Sequence, residues 1–260
     1  MMLRWAIQTN LGSSNDIERL LSACRDQGLP TEELRHIPFS TRLPTLDTET
    51  PTVFYGATQF VNQIATDGRW TPGVFFEEER FQFSLCRSKL SGRLLNAEAQ
   101  LTTLARLSND SRADSTELFI RPSGDSKEFA GNILTLGEIK TWVASLEDED
   151  MSLTPECSVV VAEPVGLAYE WRVFMVGGRA VTGSQYRRYH RLEVQVGLPD
   201  SVVRFAKETA EVYSPAEVFV IDVAQSGDSL FVVEYNCFNS SGFYGSDIEA
   251  IVSSIDELYR

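Results

Sequence analysis

Two apolar runs late in the chain, Phe219 to Val223 and Leu230 to Tyr235, flank the polar tetrapeptide SGDS, a pattern that predicts a β-hairpin. Asp222, Glu234 and Asn236 interrupt the apolar positions. Side chains alternate along a strand, so Glu234 and Asn236 are expected on one face and Phe231, Val233 and Tyr235 on the other. A turn centred near Asp228 sets Asp222 opposite Glu234.

The same reading places a first strand at Arg4 to Gln8 and then a helix capped by Ser14 or Asn15. Ile17, Leu20, Leu21 and Cys24 share one face of that helix, and Gly28 stops it. Strands around Leu34 to Pro38 and at Thr52 to Tyr55 complete a βαβ-like opening, joined by the surface connection TRLPTLDTETP. After Gly56 comes a helix burying Phe60, Val61 and Ile64. Pro72 and Gly73 then form a turn, Val74 to Phe76 a strand, and Glu77 to Glu79 a solvated helix start. The spacing of Leu101, Leu104, Ala105 and Leu107 predicts a helix over Asn96 to Leu107, and SNDSRADS a loop.

Further on, a strand at Glu117 to Arg121, the loop PSGDSKEFAG and a helix from Glu138 to Leu146 are expected. The acidic LEDEDMS reads as a solvated linker, and Ser158 to Ala162 as a buried strand. Gly177-Gly178 makes a two-residue turn inside a Tyr169 to Tyr186 hairpin, setting Arg172 opposite Gly183 and Glu170 opposite Gln185. On that register Glu170, Arg172, Gln185 and Arg187 share a polar face, and Trp171, Val173, Met175 and Tyr186 a core face. Gly183 would leave room for the Arg172 side chain or a ligand. A helix over Ser201 to Val212 follows, and Ile248, Ile251, Val252, Ile255 and Leu258 mark a last one.

With 260 residues, 43% of them apolar, the chain fits one large domain or two closely associated ones. Its net charge of -14 argues against bulk attraction to nucleic acid, so any polyanion needs a local basic pocket. The only dense basic cluster is YRRYHR, residues 186–191, where alternation sends Arg187, Tyr189 and Arg191 to one side and Arg188 and His190 to the other. It reads as an anion pocket or a solvated strand end. Cys24, Cys86, Cys157 and Cys237 have no zinc spacing and read as reduced thiols of a cytoplasmic protein. The amino-terminal apolar run is too short for a signal peptide, and no stretch approaches the roughly 18 residues of a membrane span.

Clustering Asp222, Glu234 and Asn236 on apolar strands costs several kcal/mol unless a cation joins them. Oxygen ligands favour magnesium or manganese. The plain alternative makes Asp222 a hairpin residue, pairs Glu234 with an arginine and uses Asn236 as a turn cap. Arg121 and Lys127 lie in FIRPSGDSKEF, whose Gly/Ser loop can offer N–H groups to phosphate without Walker A spacing; alone, Lys127 is an ordinary surface lysine. Glu163-Pro164 in VVVAEPVG reads as a strand exit. No convincing Ser/His/Asp or Cys/His set is present.

The hairpin pattern apolar-Asp-apolar, turn, apolar-Glu-x-Asn, with FIRPSGDSKEFAG, EWRVFMVGGRAVTGSQYR and PGVFF upstream, resembles the ATP-grasp superfamily over roughly residues 50–250. Their order and spacing are similar to the clade named for two arginines and a lysine. The resemblance implies an α+β ATP-grasp fold, two α+β subdomains enclosing ATP after a small α/β domain, divided as 1–84, 85–165 and 166–260. It implies that Lys127 reaches the nucleotide phosphates and Arg121 the phosphates or an acidic substrate. Glu163 and the Val165 backbone would lie near the nucleoside, with Glu170 the competing ribose ligand. Asp222, Glu234 and Asn236 would hold one or two magnesium ions, while Arg121, Arg172 and Arg187 neutralise the transferring group. The implied activity is ligation of a small-molecule or peptide carboxylate to an amine or other nucleophile through an acyl phosphate, with ATP converted to ADP and phosphate. A nucleotide-binding regulatory or partner-binding protein without turnover, and a small-molecule kinase, use the same pocket residues.

Overall fold

The computed structural model of the chain describes residues 2–12, 14–37, 40–124, 129–146 and 153–260, and three sheets organise them. The first is built from β1 (Arg4–Gln8), α1 (Ser14–Asp26), β2 (Thr31–Leu34), β3 (Thr52–Tyr55), α2 (Thr58–Asp67) and the two-residue β4 (Pro72–Gly73). Its strands run parallel in the order β2-β1-β3-β4. Alternation dictates its layers: Trp5, Ile7, Val53 and Tyr55 pack with α1, whereas Ala6 and Phe54 pack with Phe60 and Ile64 of α2. Helix α1 begins at Ser14, with Asn15 inside it, and ends before Gly28 at φ 67°.

Three expectations fail here, the first being that Pro72 and Gly73, expected as a turn, pair in parallel with Thr52 and Val53 as β4. The second strand is Thr31–Leu34 rather than Leu34 to Pro38, of which residues 38 and 39 lie outside the described residues. Its TEEL sequence has no apolar period because it is an edge strand held by backbone pairing to β1. Val74 to Phe76 form no strand, since Phe75 turns into the core while its N–H donates to Asn239 Oδ1 at 2.8 Å.

The chain continues through α3 (Glu78–Phe81), α4 (Phe83–Leu90), β5 (Gln100–Thr103), α5 (Leu104–Ser108), β6 (Glu117–Pro122), β7 (Asn132–Thr135), α6 (Leu136–Ala144) and β8 (Ser158–Ala162). The second sheet, β5-β8-β6-β7, is antiparallel and packs on α5 and α6. The helix expected over Asn96 to Leu107 is broken: Asn96 has φ 58°, and Gln100–Thr103 pair with β8. Only Leu104–Ser108 remain helical, capped by the Thr103 hydroxyl. Helix α6 starts two residues before Glu138 because Thr135 and Glu138 form a capping box. Residues 147–152, expected as an acidic linker, lie outside the described residues.

The third sheet comprises β9 (Tyr169–Val176), β10 (Arg179–Arg188), β11 (Arg191–Val196), β12 (Val218–Ser226) and β13 (Ser229–Cys237), with α7 (Asp200–Val212) before β12 and α8 (Ile248–Leu258) last. Its antiparallel order is β11-β10-β9-β12-β13. Trp171, Val173, Met175, Phe219, Ile221 and Val223 face α7. On the opposite face Phe174, Val176, Val218 and Val220 join α1 and α8 in one core. The rest of that face is polar and looks across a cleft at the second sheet.

Three bulges re-aim side chains on this sheet. Asp222 stands opposite Glu234 as expected, but the register then jumps to Val223 opposite Val232. Val232 therefore enters the core with Tyr235, and Val233 lines the cleft instead of sharing their face. In the other hairpin Arg172 pairs with Ser184 and Glu170 with Arg187, not with Gly183 and Gln185, because register shifts fall between Ala180 and Thr182 and between Gln185 and Arg187. Gln185 consequently joins Trp171 on the α7 side, and Tyr186 joins Glu170. Gly183 admits backbone rather than the Arg172 side chain, since an added Cβ would collide with the Arg172 carbonyl oxygen and come within 2.8 Å of Leu198. The basic cluster is not a continuous strand either: Arg188 pairs with Arg191 across a tight turn at Tyr189 and His190, with φ of 47° and 63°.

Candidate active site

The cleft between the second and third sheets has a volume of about 620 Å³. Phe119, Arg121 and Ile133 come from the second sheet, Val165 and Leu167 from the connection to β9, and Glu170, Arg172, Tyr186, Arg187, Asp222, Glu234 and Asn236 from the third.

At its base Arg172 makes a bidentate ion pair with Asp222, Nε to Oδ1 at 2.9 Å and Nη2 to Oδ2 at 2.8 Å. Both side chains are nearly sealed from solvent, at 10% and 2% exposure. Arg172 Nη1 also donates to the Gly242 carbonyl at 3.2 Å. Its guanidinium lies 5.6 Å from the Tyr186 ring centroid and 5.1 Å from that of Tyr244. The two tyrosines stack with centroids 5.0 Å apart. Burial opposes the Arg172 charge, but the Asp222 carboxylate outweighs it and holds the guanidinium above its ordinary pKa.

Glu170 is 4% exposed and accepts a hydrogen bond from the Tyr186 hydroxyl at 2.9 Å. Arg187 Nη1 stands 3.9 Å from its other oxygen. Burial pulls the Glu170 carboxyl above the usual glutamate range despite these partners. The Tyr186 hydroxyl is pushed well up, first by burial and then by the Asp222 and Glu170 charges.

Glu234 is the more open acid, with its side chain 36% exposed and Arg121 Nη1 3.8 Å away. Arg121 is braced by its bond to the Pro122 carbonyl and by the Phe83 ring 5.2 Å away. Asn236 donates its amide to Asp222 Oδ2 at 3.0 Å, which turns the amide oxygen away from that carboxylate. Among the described residues no three His, Cys, Asp or Glu side chains group closely enough to hold a metal by themselves. A cation here needs the Asn236 oxygen beside Glu234 and Asp222, and such an all-oxygen set fits a hard ion such as magnesium. Both Asp222 oxygens already face Arg172, so Asp222 contributes only by sharing one of them.

Of the residues singled out from the sequence, Arg121, Val165, Glu170, Arg172, Arg187, Asp222, Glu234 and Asn236 line this one cleft. Glu163 is exposed and does not line it, and Lys127 lies outside the described residues. Tyr186, His190 and Tyr244 also line it and were not foreseen as cleft residues. Only a hint of them was present: Tyr186 and His190 fall in the basic cluster, and Tyr244 closes the Ser/Gly run after Asn236.

No helix among the described residues is long and apolar enough to cross a membrane. No curated protein matches the chain. Among solved structures the D-cycloserine synthetase DcsG is similar at 14% identity and a TM-score of 0.65, covering 99% of this chain and 100% of its own. The ATP-grasp ligase PsnB, complexed with a minimal precursor, is 10% identical with a TM-score of 0.61, covering 100% of this chain and 99% of its own. The D-alanine–D-alanine ligase of Bacillus anthracis is 11% identical with a TM-score of 0.57, covering 100% and 93%. These likenesses show the ATP-grasp fold, in agreement with the α+β architecture expected. The model of the ATP-grasp domain, family 3 of the clade named for two arginines and a lysine, matches residues 55–255, most of the chain, and the protein belongs to that family of ATP-grasp domains.

Proposed function

We propose that the protein is an ATP- and magnesium-dependent ligase joining a carboxylate to an amine or another nucleophile through an acyl phosphate. One observation carries the reading: Asp222, Glu234 and Asn236 stand in a single cleft with Arg121, Arg172 and Arg187. A triphosphate needs that combination of cation-holding oxygens and direct positive charge. One or two magnesium ions, or manganese, held by Glu234, Asn236 and Asp222, supply charge neutralisation at the phosphoryl oxygens.

The apolar wall of Phe119, Ile133 and Leu167, with the Val165 backbone, receives the adenine. Glu170 is favoured over Glu163 for the ribose, because it lines the cleft and Glu163 does not. Lys127 keeps the phosphate role that the family resemblance implies. The substrate carboxylate attacks the γ-phosphorus and ADP leaves; the nucleophile then attacks the acyl carbon, releasing inorganic phosphate and a proton. Arg121, Arg172 and Arg187 hold the transferring group and the acid. The acid is a small molecule or a peptide, a class supported by structural neighbours bound to precursor peptides. A cytoplasmic location is the reading of the cysteine spacing in the sequence, which has no paired pattern.

A second reading, nucleotide binding without turnover, is favoured by the engagement of both Asp222 oxygens with Arg172. Measuring ADP release with pools of amino acids, carboxylic acids and peptides separates the two, and ¹⁸O-labelled carboxylates test the intermediate. A ligase passes one ¹⁸O into inorganic phosphate. Saturable ATP binding without stimulated ADP release supports the binding protein, and a stable phosphorylated product a kinase.

A further inference from the structure

The β10–β11 hairpin carries features that nucleotide binding leaves unused. Strand β11 is the outer edge of the third sheet, with β10 its one neighbouring strand among the described residues. Alternate N–H and C=O groups of an edge strand point away from the sheet and template another strand. Its sequence RLEVQV contains neither the proline nor the lysine that commonly blunts an edge. Leu192, Val194 and Val196 are 71%, 46% and 85% exposed. A Cβ on Gly245 would lie 3.0 Å from Val194 and 3.4 Å from Val196, so these valines sit on the Tyr244 side of the sheet, the side of the cleft.

At the turn the only dense basic cluster of a chain with net charge -14 is displayed. Arg188 lies over the Tyr169 and Tyr189 rings and stands 3.7 Å from its own Glu193. That ion pair is half-exposed and weak, so an incoming carboxylate can replace it. On the other face a groove of about 870 Å³ runs between the sheet and α7, lined by Trp171, Gln185, Gln195 and Phe205. Alternate side chains of a strand laid on β11 would point into this groove and onto the exposed valine row.

We propose that β11 is the docking edge for an extended acidic peptide, which adds a sixth strand to the sheet and sets its carboxylates against Arg188 and Arg191. This rests on the ligase reading, since the docked peptide is then the carboxylate substrate, delivered past Arg187 and His190 into the cleft. A second copy of the chain is the weaker occupant. Six paired residues span about 20 Å, and such a seam falls short of the ~1,000 Å² expected of a stable interface.

The test is fluorescence anisotropy of the full chain with labelled octapeptides of alternating valine and glutamate, or valine and lysine. The glutamate peptide is expected to bind saturably, and the lysine peptide at least tenfold more weakly. Alternate backbone N-methylation, which removes the strand's donors, and the Arg188→Glu/Arg191→Glu variant are each expected to weaken it at least tenfold. ATP binding by that variant is expected to be unchanged. The proposal is overturned if a chain that binds ATP fails to bind the glutamate peptide, or if the double variant binds it equally. It is also overturned by tighter binding of a single-stranded oligonucleotide, or by a dimer in sedimentation that Val194→Asp abolishes. Peptide docking by a chain without ATP binding would refute the ligase reading and leave the edge assignment standing.

Discussion

Replacing Asp222 by asparagine isolates the energetics at the base of the cleft. The Asp222 side chain is 2% exposed and that of Arg172 10%, and two charge-assisted hydrogen bonds at 2.8 and 2.9 Å join them. Removing one member of such a pair strands the other charge in a site shielded from water, at about 3–5 kcal/mol. Asparagine keeps one acceptor for Arg172, which sets Asp222→Asn near the lower end, about 3 kcal/mol. Unfolding entropy is about 2.1 cal/mol/K per residue, or about 0.55 kcal/mol/K for 260 residues. The variant should therefore melt about 5 °C lower in calorimetry. Arg172→Met leaves a bare carboxylate held, among the described residues, by Asn236 alone and should cost about 8 °C. The double variant Arg172→Met/Asp222→Leu removes both charges and with them both desolvation penalties, so it should melt above either single variant. Single variants within about 1 °C of the parent, or strictly additive losses, would refute the reasoning.

Glu234→Gln should lower magnesium-dependent ATP binding or turnover at least about tenfold, roughly 1.4 kcal/mol, with melting unchanged because this side chain is 36% exposed; retained activity removes the metal role. For Glu170 the folded-state pKa is raised, so the stability it contributes is present below the unfolded value, about 4.3, and is lost as pH rises through the folded one. Glu170→Gln should therefore be more stable than the parent in urea at pH 8 and lose that advantage near pH 4; an advantage independent of pH contradicts the burial argument. Gly183→Ala forces a methyl against the Arg172 carbonyl and the Leu198 side chain and should destabilise by about 1–3 kcal/mol in thermal unfolding; a neutral substitution would show that these strands can separate freely.

Strands buried on both faces were legible in sequence: β1, β3 and β8 lie where their apolar runs end, and Asp222 stands opposite Glu234. So were the packed faces of α1 and α8. The edge strands β2, β7 and β11 were not, because they carry no buried row and exist through backbone pairing, whereas the edge strand β13 has an apolar run and was read. The bulges in β10 and β13 hid the second half of the site, since one extra residue reverses every later side chain. Tyr186 thus entered the cleft and Gln185 left it. Glu163 stays outside the cleft lining for a simpler reason: on the strand exit an acid can turn to solvent, and it does.

The second sheet has a core of its own, running from Leu104 to Val161, that shares no residue with the other cores, although Val160 packs against a neighbouring one. The chain enters this unit after Arg93 and Leu95, which are tied to Val232, and leaves it before Ala168, which is tied to Gln225. Only residues 96–99 and 163–167 lie between those anchors and the sheet, and Asn96, Val165 and Leu167 among them line the cleft. Both crossings of the chain into the second sheet thus border the cleft. Whatever fills the cleft therefore touches both crossings, while Val160 and the bond from the Phe83 N–H to the Ser123 carbonyl fasten the second sheet to the core beside α7, so ligand contact at the crossings is felt by two cores at once.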